Sequence, residues 1–159
     1  LIQAKCKEIM KHAHWKSSFQ EYLHICPLMK EIDRPNLKQA CQASENSSPP
    51  TIKSVLLSGH PYDRFLLIDK PSGSPDIAQE FMIGKVAAYY VRPYHSLYHF
   101  KYWLRQRCEA KVKMMKESNK LDNLSDEIIL DKCLENRSWV LQLFDSLKGL
   151  LKYAMDTGR

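Results

Sequence analysis

The chain is 159 residues long, 44% hydrophobic and 26% charged, the composition of a soluble globular protein at about the length of one domain. No apolar run reaches the ~18 residues of a membrane span, and five cysteines with no C-x-x-C spacing argue against a zinc knuckle or a redox dithiol. The net charge of +6 is uneven: residues 61–120 hold eleven Lys and Arg against six Asp and Glu, which favours an acidic partner.

From the start, Ile2, Cys6, Ile9, Met10 and Ala13 recur at helical spacing with charged residues between them. The opening residue is Leu1 and helical periodicity begins at once, so the chain reads as a segment of a larger intracellular protein. Ser18 and Glu21 form a Ser-x-x-Glu capping box ahead of the stripe Phe19, Tyr22 and Leu23. Pro27 interrupts that helix. A helical turn through Leu28, Met29 and Ile32 is expected next. A brief helix through Leu37, Ala40 and Cys41 follows, with Pro35 at its first position. Residues 43–50 read as a flexible loop without a core anchor. They separate an N-terminal helical segment (1–42) from a main body (51–159) within one helical domain (1–159).

After the loop, Ile52–Leu57 and Arg64–Asp69 are short apolar runs bounded by Gly and Pro. They predict one short β-hairpin or extended insert around residues 52–69. The spacing then predicts a helix capped by Ser74, with Pro75 in its first turn and the seam Ile77, Phe81, Gly84, Ala88 and Val91. Pro93 ends or kinks it. The next stripe is Leu97, Phe100, Leu104, Cys108, Val112 and Met115. Ser125 opens another helix, and Ser138 restarts the chain into a last one carrying Val140, Leu143, Phe144, Leu147 and Leu151. The fold class expected is mainly α, a multi-helix globular domain with that single hairpin.

Between Tyr89 and Trp103 the chain reads YYVRPYHSLYHFKYW, which holds seven of the sixteen aromatic residues and two of the six histidines. A basic stretch follows immediately. On a helix, Tyr94, Tyr98, Lys101 and Arg105 share one face, which Arg92 and Lys111 extend. Tyrosine and arginine anchor protein interfaces because each joins apolar surface to directional hydrogen bonding. The expected function is therefore a non-catalytic protein-interaction or scaffold module that takes an acidic or aromatic-bearing partner on that face. The alternative is RNA or single-stranded DNA, with the lysines along the phosphates and the tyrosines stacked on bases. Against both stands the plainer reading that the aromatic helix is the centre of the core.

His95 and His99, four apart, share a helical face as two metal ligands would, but no local Glu or Cys completes a site, and no metal is assigned. Ser58, His60, Asp63, Asp69, Ser72, Ser74 and Asp76 gather in two loops without a nucleophile elbow, P-loop or dinucleotide fingerprint. No catalytic residue and no cofactor are assigned. Cysteines at apolar helix positions behave as small buried hydrophobes, which points to a reducing compartment, nucleus or cytoplasm.

Overall fold

The computed structural model describes residues 1–37, 39–45, 51–71, 73–119 and 123–157. In chain order these form α1 (Ile2–Ala13), α2 (Ser17–Ile25), β1 (Leu28–Leu37), β2 (Thr51–Gly59), β3 (Ile77–Ile83), α3 (Lys85–Tyr98), α4 (Phe100–Asn119), α5 (Asp126–Leu134) and α6 (Arg137–Asp156). The fold is α-rich and mixed: six helices and one three-stranded antiparallel sheet among the described residues, in the order β1-β2-β3. None of these helices is long and apolar enough to cross a membrane.

The sheet is where sequence and structure part. Ile52–Leu57 lies inside β2 as expected, but its partners are other than Arg64–Asp69. Residues 28–37, expected to be helical, form β1. Residues 77–83, expected to begin a long helix, form β3. Val55 pairs with both Glu31 and Phe81, and Leu57 pairs with Met29 and Gln79. Directly opposed residues in an antiparallel pair point to the same face. Met29, Glu31, Val55, Leu57, Phe81 and Ile83 therefore share the face that meets the helices. The i, i+4 seam read through Ile77 and Phe81 is equally a period-2 pattern, and two strands waiting for a third settle which period holds. Gly84 marks the change of period, and the helix begins one residue later. At the end of β2, Gly59 adopts φ 111°, and a Cβ there would lie 3.1 Å from Pro27 Cγ. Only glycine suits that backbone.

The helices follow their stripes. Cys6, Ile9 and Ala13 of α1 and Phe19 and Leu23 of α2 are buried, and α2 ends as Cys26 turns extended before Pro27. The break expected at Pro93 falls instead at His99, because α3 runs through the proline. Ser125 caps α5 as expected, accepting from the Ile128 backbone N–H at 3.4 Å. Asn136, rather than Ser138, caps α6, accepting from the Trp139 N–H at 3.1 Å. Residues 46–50 of the expected loop lie outside the described residues. Ala43 is fully buried and its carbonyl accepts the Lys16 N–H at 2.8 Å, so this end of the loop does anchor a core.

Two cores result. The larger joins α1, α2, the sheet, α3 and the end of α6 around Phe19, Leu23, Val55, Leu57, Ile83 and Tyr94. The smaller has Val112, Ile129 and Cys133 at its centre, with Met115, Leu124, Leu130 and Trp139 against it. In α6, twenty residues long, Ala154 is the one buried residue.

Candidate functional site

The aromatic segment divides between interior and surface. Tyr94 is 1% exposed and stands edge-on to Trp15, with ring centroids 4.8 Å apart. Its hydroxyl lies 2.6 Å from His24 Nε2 and donates to Met10 Sδ at 3.2 Å. Its removal from the expected partner face is a correction, and its cause is the size of the ring: α3 packs against both α1 and α2, and Tyr94 fills the space between them.

His95 Nε2 lies 2.8 Å from the Cys26 carbonyl, and His99 Nε2 lies 2.9 Å from the Leu23 carbonyl. A carbonyl only accepts, so each Nε2 carries the proton. His99 Nδ1 is then left to accept from the Tyr62 hydroxyl at 2.8 Å. Burial lowers all three histidines, partly covered His24 and buried His95 to about 4 and buried His99 to about 3, with the charge that His95 would carry on protonation a second cause for His99. These imidazoles are neutral, and His95 and His99 are held by carbonyls. No cluster of three or more metal-ligating side chains occurs among the described residues.

The remaining members of the expected face do not gather. Tyr98 is half-buried, stacked on His24 at 4.3 Å, with the Arg64 guanidinium 3.7 Å from its ring centroid. Arg105 donates to the Leu66 carbonyl at 2.6 Å and to Glu109 at 2.7 Å. Lys101 is exposed beside them on α4. Arg92 turns away to β1, where it meets Glu31 at 2.7 Å. Lys111 lies 6.0 Å from the Trp139 ring, beside the smaller core. Tyr98 and Arg105 thus seat the Asp63–Leu67 turn. Asp63 Oδ1 accepts the Phe65 and Leu66 N–H groups, both at 2.8 Å, and Leu67 takes φ 58°. The turn holds Phe65 96% exposed.

Open surface of the right chemistry lies on the other side of α4. A groove of about 530 Å³ runs between the start of β1, α4 and α6. Leu28, Phe100, Trp103, Leu104 and Leu150 supply apolar wall. Arg92 and Arg107 bring the cations, and Arg107 Nη1 donates to Ser146 Oγ at 3.3 Å. Trp103 is 38% exposed, so the indole is available and yet held. A second groove of about 560 Å³ shares Glu31 and Arg92 with the first and adds Lys53, Lys85, Tyr89, Tyr90 and Tyr153. Glu31 is 10% exposed in its side chain and binds both Arg92 and, at 3.5 Å, Lys53. The ion pair forms a sill between the two hollows.

Sequence reasoning reached Arg92 and missed Trp103 and Arg107 as groove residues. Phe100, Trp103, Leu104 and Arg107 do recur at i, i+3, i+4 and i+7, the stripe of a helix face that meets a partner. That stripe reads equally as core until the position of β1 is known.

Proline-rich protein 12 of Homo sapiens matches all 159 residues of the chain at 29% identity, and proline-rich protein 12 of Mus musculus does so at the same identity. The chain spans about 7% of the length of these curated relatives. No family model matches the chain, and no solved structure matches it.

Proposed function

We propose that this chain is a non-catalytic interaction module of a larger intracellular protein. It receives a short acidic segment of a protein partner, anchored by a bulky apolar or aromatic side chain, in the groove between β1, α4 and α6. The observation that carries this reading is the half-exposed Trp103 on an apolar wall with Arg92 and Arg107 beside it. A large ring fixed in place loses little freedom on binding, and arginines at a rim select and orient carboxylates. All five cysteines are free, four of them buried, in keeping with a reducing compartment, nucleus or cytoplasm.

The nucleic-acid alternative draws less support, because the cations of α4 are dispersed. Arg105 pairs with Glu109, Lys116 with Asp126, and Lys111 lies over Trp139. A phosphate backbone needs its cations in file.

Phage-displayed peptides selected on the folded chain test the proposal. Winners should combine Asp or Glu with Phe, Leu or Trp. By fluorescence anisotropy, Trp103→Ala and Arg107→Glu should each weaken them about tenfold or more, the loss expected of an interface anchor. Phe65→Ser, away from the groove, should not. Peptides indifferent to Trp103→Ala, or a selection that yields none, would overturn the reading.

A further inference from the structure

We propose that the second groove takes a phosphorylated serine or threonine of the same partner segment, so that the segment is read in two parts: an apolar anchor and a phosphate across the Arg92–Glu31 sill. This inference rests on the peptide reading above. Charge and position carry it. Lys53, Lys85 and Arg92 line the second groove against the single carboxylate of Glu31, which leaves two positive charges in one bounded hollow. A phosphomonoester carries about −1.5 to −2 at neutral pH, a close match in magnitude and opposite in sign. Asp33 also approaches Lys53, at 3.7 Å, but its side chain is 83% exposed and it does not line the hollow.

The walls suit the same ligand. Tyr89 and Tyr153 are each about half exposed, and the Tyr89 hydroxyl donates to the Asp156 carbonyl at 3.2 Å, which fixes that ring in the wall. Lys85 opens α3, whose first turn holds no acidic residue and whose N-cap, Gly84, makes no side-chain capping bond. The positive end of the helix dipole is therefore not offset by a carboxylate of its own and adds to the field of the lysines. Glu31, deeply set and paired, explains why a continuous nucleic-acid strand fits less well. Passing from one groove to the next would bring successive phosphates past that carboxylate, whereas one phosphate lodged on the Lys85 side of the sill meets three cations against the one carboxylate that lines the hollow.

Because the two hollows share Arg92 and Glu31, one extended segment can occupy both. The second contact is then made at high effective concentration, and its gain adds to the affinity of the anchor.

The test starts from the tightest peptide of the selection above, titrated first against the parent chain and Trp103→Ala. A phosphoserine is walked through each position on either side of the anchor, and affinity is read by anisotropy. At one register affinity should rise about tenfold or more. Aspartate at that position should give a smaller gain, and Lys53→Ala with Lys85→Ala should abolish the gain while leaving the unphosphorylated peptide bound as before. Circular dichroism checks that the double variant is folded, Lys85 being exposed and the Lys53 side chain 33% exposed. If the parent peptide keeps its dependence on Trp103 and no register gains, or the gain survives the double variant, this inference fails and the peptide reading stands. If the parent peptide is indifferent to Trp103→Ala, the peptide reading itself fails. Displacement of the phosphopeptide by an oligothymidylate that binds more tightly, with steep salt dependence, would overturn both in favour of nucleic acid.

Discussion

Three histidines lie where α2 meets the α3–α4 corner, and burial holds each below its ordinary value: His24 and His95 at about 4, His99 at about 3. An unfolded chain protonates them near pH 6.5. Between that value and the folded ones, the unfolded state therefore binds more protons, so stability is full above about pH 6.5 and is lost as the pH falls through the window. For a single buried histidine of this kind the loss at pH 5.5 is on the order of 1 kcal/mol. Urea titrations at pH 7.5 and 5.5 should show the midpoint falling, well before carboxylates titrate. His60 works in the opposite sense. It is raised by the Lys70 carbonyl and by Asp76, is only partly covered, and contributes its small part at low pH. An unchanged midpoint across the window would mean that the imidazoles are not buried as described.

At the scale of elements, the Asp63–Leu67 turn separates what a residue does for the fold from what it offers outward. Phe65→Ser should leave the melting temperature unchanged, since the ring touches little. Asp63→Ala removes the acceptor of two backbone N–H groups and should lower the melting temperature, read by thermal melts. Helices with strong stripes were legible from the chain alone: α1, α2, α5 and α6 start within a residue or two of their signals. β1 and β3 were not. Leu28–Ile32 and Ile77–Phe81 each fit a helical turn as well as a strand, and only pairing with β2 decides. The groove was illegible for the same reason. Its wall joins Leu28 to Trp103 and Leu150, residues far apart in sequence that meet through the edge strand. The file of aromatics was visible, but its division into buried Tyr94 and half-exposed Trp103 depends on what packs against each turn of α3 and α4.

Taken whole, the molecule is unequal in strength. Its larger core knits sheet and helices together, whereas the outer reaches of α4, α5 and α6 depend on Val112, Ile129, Cys133 and a few partly covered neighbours. Opening free energies track such differences in buried apolar contact. Amide hydrogen exchange should therefore be slowest in β2 and markedly faster in α5 and the first half of α6. Uniform protection would contradict the division. Among the described residues, Val112, Ile129 and Cys133 alone fill the centre of the smaller core. With so slim a clasp, the outer helices behave as a jaw on a loose pivot, and a guest lodged between α4 and α6 would register chiefly as quietened breathing at the far tip, many residues from anything it touches.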